Sequence, residues 1–180
     1  DSKIFKDYNI ICFNQNQFIG NGRIIPAGPL RESLNTLKYA HAVIINGEQN
    51  ELFEKKILKI NPNLDIFYSK YRALNANEFE GKPLLAFTGI GNPENFFKLM
   101  SQNNLNIKKK MVFPDHYQFK KNEITEIINE SNKHMYHLVT TEKDYLRIAH
   151  FNFSKIKFLK INLEIDNLEK LINKILKLYD

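Results

Sequence analysis

The chain has one cysteine, Cys12, so no internal disulfide can form, and it reads as an intracellular protein. No stretch approaches the roughly 20 apolar residues of a membrane helix. The N-terminus also lacks the basic-then-apolar layout of a signal peptide, and together these absences predict a soluble or peripheral protein. Long Gly, Ser or Pro tracts are missing too, which excludes compositional disorder. What is present is a chain of 180 residues, 43% hydrophobic and 12% aromatic, enough for one folded domain or slightly more. The formal net charge of +6 predicts contact with something anionic: nucleic acid, a lipid headgroup layer or a phosphorylated substrate. Charge does not choose among these, because the excess is mostly Lys in a sequence also rich in Asn and Ile, a pattern that genome composition alone can produce. Residue 1 is Asp rather than an initiator Met, which predicts a chain that begins inside a longer reading frame or was processed.

Short β-branched and aromatic runs alternate with helical patterns, the signature of βα units in a mostly parallel sheet flanked by helices. The expected strands are Asn9–Phe13, Ala42–Asn46, Leu64–Tyr68, Leu84–Thr88, Ile107–Phe113, His137–Thr140 and Ile156–Ile161. Helices are expected near Leu30–Tyr39, Gln49–Leu58, Pro93–Ser101, Glu123–Asn132, Glu142–Ile148 and Asn167–Leu178. The last has the clearest period: Leu168, Leu171, Ile172, Ile175, Leu176 and Tyr179 recur at three- and four-residue spacing, so one face should pack on a sheet. Cys12 lies in an apolar strand and is expected to be buried. A boundary is expected near Asn75–Lys82, where polar residues and Gly81 separate two α/β portions.

Four segments stand out as candidates for chemistry. Gly20-Asn21-Gly22-Arg23-Ile24-Ile25-Pro26-Ala27-Gly28-Pro29-Leu30-Arg31-Glu32 is stiffened by Gly and Pro, and Arg31 and Glu32, placed in the first turn of the next helix, are the polar side chains it would present. Its composition equally suits an ordinary strand-to-helix loop. Gly89-Ile90-Gly91-Asn92-Pro93-Glu94 joins a strand to a helix whose N-cap is Asn92 and whose first residue is Pro93. It lacks the third Gly of a dinucleotide fingerprint, so it reads as a turn with Gly at positive φ rather than a phosphate cradle. Pro114-Asp115-His116-Tyr117 follows a strand directly, at the edge where parallel sheets place ligands, and His116 is the best single candidate for proton transfer or for orienting a carboxylate. A capped turn with an exposed imidazole fits as well. Thr140-Thr141-Glu142-Lys143-Asp144 reads as an N-cap followed by acids in the first helical turn. His134 and His137 flank a strand with no third ligand nearby, so no metal is assigned to them, and Lys108–Lys110 reads as a solvated face.

In this order and spacing, Gly-Asn-Gly-Arg with Pro-Ala-Gly-Pro-Leu-Arg-Glu, then Gly-Ile-Gly-Asn-Pro-Glu, Phe-Pro-Asp-His and Thr-Thr-Glu-Lys-Asp resemble the tetraacyldisaccharide 4'-kinase family across most of residues 19–144. The resemblance implies an ATP- and Mg²⁺-dependent enzyme that phosphorylates a lipid A disaccharide 1-phosphate precursor. It further implies a cytoplasmic location, peripheral to the anionic inner-membrane surface of a Gram-negative cell. Arg31 and Glu32 match family active-site positions, and His116 matches the histidine that pairs with the family's catalytic carboxylate.

One departure is large. The sequence contains no Gly-x-x-x-x-Gly-Lys-Ser/Thr loop for ATP phosphates, and the family's acidic pair for Mg²⁺ and its catalytic carboxylate precede the region matched here. Residues 1–180 are therefore expected to be the C-terminal portion of this kinase fold, inactive alone and completed by an N-terminal P-loop segment. A non-catalytic remnant or interaction module, binding that segment or the anionic membrane, is the alternative expectation. No motif of a nucleic-acid-binding domain is present and basic and aromatic residues do not interleave at a known spacing, so no nucleic acid is expected as partner.

Overall fold

The structure is a computed structural model that describes residues 7–178; Asp1 and Tyr179, used above, lie outside them. In chain order the elements are β1 (Ile10–Asn14), β2 (Ala42–Asn46), α1 (Glu51–Leu58), β3 (Asp65–Ala73), β4 (Leu84–Thr88), α2 (Pro93–Gln102) and β5 (Ile107–Val112). They continue with α3 (Lys121–Lys133), β6 (His137–Thr141), α4 (Glu142–Ile148), β7 (Ile156–Leu159), β8 (Ile161–Ile165) and α5 (Leu168–Leu176). Short 3₁₀ turns lie at Leu34–Tyr39, Ala76–Phe79 and Ala149–Phe151. The fold is α/β, with strands ordered β1-β2-β3-β8 in one sheet and β5-β4-β6-β7 in the other. The β1/β2, β2/β3, β4/β5, β4/β6 and β6/β7 pairs are all parallel.

Two compact units result. Asp1–Lys70 with Leu163–Asp180 make the first, and Tyr71–Asn162 the second. The chain thus leaves the first unit a few residues before the polar Asn75–Lys82 stretch and returns to it at its end.

In each sheet one interior strand, β2 or β4, is apolar over its first four residues because both of its faces are covered. In the first unit Val43 and Ile45 pack with Phe13, Leu37, Phe53 and Ile57, while Ala42 and Ile44 meet Phe67 and Leu171 on the opposite face. In the second, Leu84 and Ala86 join Phe96, Phe97 and Met100, and Leu85 and Phe87 join Phe119, Ile124 and Ile127. A period of two therefore assigns residues 42–45 and 84–87 alternately to the two faces.

Three expectations need correction here. The helix expected over Leu30–Tyr39 is only the 3₁₀ turn Leu34–Tyr39: the side chain of Ser33 caps it by accepting from Asn35 N, so Arg31 and Glu32 precede it rather than lie in its first turn. The strand expected at Ile156–Ile161 is two strands, β7 and β8, which belong to different sheets. Cys12 is exposed rather than buried, because β1 is an edge strand and Ile10 and Cys12 share its open face while Phe13 points into the core.

Helix α5 packs only part of the expected face: Leu171 is buried against Ala42, Ile44 and Phe67 with Ile175 partly buried beside it, whereas Leu168, Ile172 and Leu176 stay exposed. Its contact is reinforced by Asp65, which accepts from Lys174 and lies 3.3 Å from Lys170. Burial works against the charge of Asp65, but the bonds from Lys174 and Lys170 outweigh it and hold the carboxyl below its usual range. A depressed carboxyl contributes stability above its unfolded value of about 3.9, and that contribution is lost as pH falls through the lower folded value. Acidification below about pH 4 should therefore raise amide hydrogen exchange in α5 before it does so in β2 and β4. Asp65→Asn should abolish this pH dependence; exchange in α5 that stays flat down to about pH 2 would count against the clamp.

Candidate functional site

In the first unit, the Gly- and Pro-rich segment folds back on itself after β1. Ile24 and Leu30 form an isolated parallel bridge, with Ile25 N donating to Leu30 O at 2.8 Å and Leu30 N to Arg23 O at 3.2 Å. Asn21 ties the fold internally: its Nδ2 donates to Ala27 O at 2.8 Å, and its Oδ1 accepts from Arg23 N at 3.1 Å. Gly28 sits so close to this turn that a Cβ there would strike the Arg23 carbonyl and the Asn21 side chain. The need is for space, since Gly28 has no positive φ. The loop delivers Arg31 and Glu32, both exposed, to the wall of an open cleft of about 680 Å³ that also runs along β1, including Cys12 and Asn14, and past Asn9 just before it.

In the second unit the strand-to-helix turn after β4 and the loop after β5 meet. His116 N donates to Gly89 O at 3.1 Å and to Asp115 Oδ1 at 2.9 Å, with His116 itself at φ 60, a left-handed conformation uncommon for a residue with a side chain. The glycines of the Gly-Ile-Gly turn are not at positive φ, contrary to the expectation from sequence. They are small because the neighbouring loop is close. A Cβ on Gly89 would lie 3.1 Å from Tyr117 Cβ, and one on Gly91 would lie 2.9 Å from Asp115 Oδ2. Asn92 and Pro93 do open α2 in the expected positions, although Asn92 makes no side-chain capping bond.

Beneath His116 lies Asp144, in the first turn of α4 and completely buried. Its Oδ2 accepts from Thr88 Oγ1 at 2.8 Å, Gly89 N at 2.9 Å and Thr141 Oγ1 at 2.8 Å, and its Oδ1 accepts from Arg147 Nη1 at 2.9 Å. Arg147 Nη1 also donates to Gly89 O at 3.0 Å, and Nη2 lies 3.0 Å from His116 Nδ1. Thr141 caps α4 as expected, accepting from Asp144 N at 3.2 Å. Capping does not account for Asp144, whose carboxylate joins β4, the Gly89 turn and Arg147. Sequence reasoning missed both residues. The usable signal was the three-residue Asp144–Arg147 spacing at the start of a helix that directly follows a buried strand.

Tyr117 turns away from this cluster: its hydroxyl donates to Glu123 Oε1 at 2.6 Å, while Lys120 N donates to Glu123 Oε2 at 2.8 Å. The shared bond raises the Tyr117 phenol and lowers the Glu123 carboxyl. The Lys run on β5 follows the edge strand. Lys109 pairs with Glu130 at 2.6 Å, and Lys108 and Lys110 are exposed, a charge pattern that discourages edge-to-edge pairing.

Arg31 and Glu32 thus stand in the first unit, and His116, with Asp144 and Arg147, in the second. Among the described residues no group of three or more His, Cys, Asp or Glu side chains is gathered as metal ligands. The sequence holds no Gly-x-x-x-x-Gly-Lys-Ser/Thr loop of the kind that cradles ATP phosphates.

Comparison with known proteins places these features in one family. A family model described as tetraacyldisaccharide-1-P 4'-kinase matches residues 1–179. The tetraacyldisaccharide 4'-kinase of Pelagibacter ubique is 42% identical over 99% of this chain and 58% of its own length. That of Rickettsia akari is 33% identical over 96% of this chain and 52% of its own length. A crystal structure of LpxK from Aquifex aeolicus in complex with ATP superposes with a TM-score of 0.65 at 21% identity, over 98% of this chain and 54% of that one. The chain spans little more than half the length of these relatives. With a family match from residue 1 to 179, and the four motif segments folded as described, the chain belongs to the tetraacyldisaccharide-1-P 4'-kinase family.

Proposed function

We propose that this chain is the C-terminal portion of an ATP-dependent kinase that transfers the γ-phosphoryl group to the 4'-hydroxyl of a tetraacyldisaccharide 1-phosphate, completed by a P-loop segment outside these residues. The observation that carries the reading is the family match over residues 1–179. The roles follow from chemistry. The sugar hydroxyl must lose a proton as its oxygen forms the new P–O bond and ADP leaves, so the reaction needs a base near the hydroxyl and cations near the phosphates. Arg31, exposed on the cleft wall, provides a fixed cation suited to a phosphate or the substrate's 1-phosphate. Glu32 beside it provides an acceptor for a sugar hydroxyl or a second cation. His116 holds a carboxylate base supplied by the completing segment. ATP and Mg²⁺ belong mainly to that segment.

On this reading the chain alone does not turn over ATP. Among the described residues no helix is long and apolar enough to cross a membrane, so contact with the anionic inner-membrane surface is proposed as peripheral, at its cytoplasmic side. The net charge of +6 supports that partner, as do Leu168, Ile172 and Leu176, which α5 leaves exposed beside its lysines.

The test is ATP-dependent phosphorylation of a tetraacyldisaccharide 1-phosphate by the chain alone, and then by the chain mixed with a separately expressed P-loop segment from the same genome. Activity only in the mixture is expected. Silence in both, with each part folded, would favour a retained interaction module.

A further inference from the structure

The bonds around His116 allow one assignment beyond the family reading. A guanidinium has donors and no acceptor, so at the 3.0 Å contact Arg147 Nη2 donates and His116 Nδ1 accepts through its lone pair. Nδ1 then carries no proton, and the neutral ring carries it on Nε2. We propose that Arg147, held by the buried carboxylate of Asp144, is a positioning residue that locks His116 as the Nε2–H tautomer and leaves that N–H as an outward-facing hydrogen-bond donor.

Three features make the lock rigid. Asp144 is completely buried and its bonds to Thr88, Gly89 and Thr141 fix it to β4 and the cap of α4, so the anchor does not move with the surface. Arg147 has an 18% exposed side chain and spends Nη1 on Asp144 and Gly89 O, which fixes the plane of the guanidinium and so the direction of Nη2. The backbone of His116 is bonded to the same Gly89 carbonyl, so ring and main chain are referenced to one peptide. The side chain of His116 is nonetheless 71% exposed, and the nearest carboxylate, Asp115 Oδ2, lies 3.8 Å from Nε2, beyond hydrogen-bond reach. Nε2–H therefore remains available to an incoming acceptor.

A histidine so held cannot take a proton on Nδ1 without losing the Arg147 bond, and its Nε2 is already protonated. It is built to donate a hydrogen bond to a carboxylate or phosphate oxygen. The kinase reading enters only in naming that acceptor as a carboxylate base; the tautomer stands on this chain's own geometry.

Long-range ¹H–¹⁵N correlation on the labelled chain at about pH 8.5, above the usual imidazole range of about 6.5, tests the lock directly. His116 should show a fully pyridine-type Nδ1 and pyrrole-type Nε2 with no averaging, and Arg147 should show two distinct Nη signals. Arg147→Met should move the His116 nitrogens towards the mixed-tautomer values of an exposed histidine without shifting His41 or His137, and Arg147→Lys should restore part of the pattern. If Arg147→Met does not fold, His116→Ala at the exposed end of the contact serves instead, and it should merge or broaden the Arg147 Nη signals. Averaged His116 signals in the wild-type chain, or no response in either variant, would overturn the assignment. Loss of kinase reconstitution with these signals intact would overturn the kinase reading alone.

Discussion

Asp144→Ala should destabilise the second unit by about 3–5 kcal/mol, the cost of removing one partner from a buried ion pair. The magnitude follows from what remains. Arg147 loses its only carboxylate while staying largely buried, and the Thr88 hydroxyl and Gly89 N–H lose an acceptor in a place water does not reach. Removing a buried charge does recover its desolvation cost, but only an apolar partner set would gain from that, and every group facing Asp144 is a donor. Asp144→Asn should fall between, because the amide keeps one accepting oxygen while turning an NH₂ towards groups that also donate. Urea unfolding followed by Phe or Tyr fluorescence of the second unit measures the loss. As a control, Glu51→Ala removes an exposed pair to Lys55 at 3.5 Å with side chains 76% and 70% exposed, and should change stability by less than about 1 kcal/mol. A cost for Asp144→Ala no larger than that control would show that the buried network contributes nothing.

The same residue marks the limit of what the chain's pattern discloses. Strands such as β2 and β4 are legible because residues buried on both faces of a parallel sheet must be apolar throughout, and α5 because Leu171 and Ile175 recur at helical spacing. The segment before Leu34 suggests helix in the sequence because its apolar and charged residues suit either conformation. What decides is the Ile24–Leu30 bridge and the Ser33 cap, one a contact between residues six apart and the other a side chain competing for a backbone amide. The Gly-Ile-Gly turn shows a different blindness: glycine is required both by positive φ and by close approach, and only the position of Asp115 and Tyr117 across the gap separates the two. Asp144 looks in the sequence like a helix-dipole acid because Asp at that place in a first turn is common on the surface. Its burial depends on Thr88 and Gly89, more than fifty residues away in the chain. The motif residues were visible, and the bonds that join them were not.

The largest functional effect is expected at His116. In the kinase completed by its P-loop segment, His116→Ala should lower kcat by roughly 10²- to 10⁴-fold, the range for a group that governs a proton-transfer step. The KM for ATP should stay nearly unchanged. The reason for that split is geometric: an Nε2–H donor that holds a carboxylate base acts on the attacking hydroxyl and not on nucleotide binding, so its loss is felt in the transition state more than in the ground state. Arg147→Met should move kcat in the same direction by a smaller factor, because the imidazole remains but samples other tautomers and orientations, and Arg147→Lys should recover part of the loss. His116→Gln offers the sharpest comparison, since its side-chain amide can donate to a carboxylate but has no titrating nitrogen. If His116 works as a donor, His116→Gln retains more activity than His116→Ala; if it works as a base, the two are equally impaired. A kcat within about twofold of wild type in His116→Ala would remove His116 from the chemistry and leave Arg31 and Glu32 as this chain's contribution to the site.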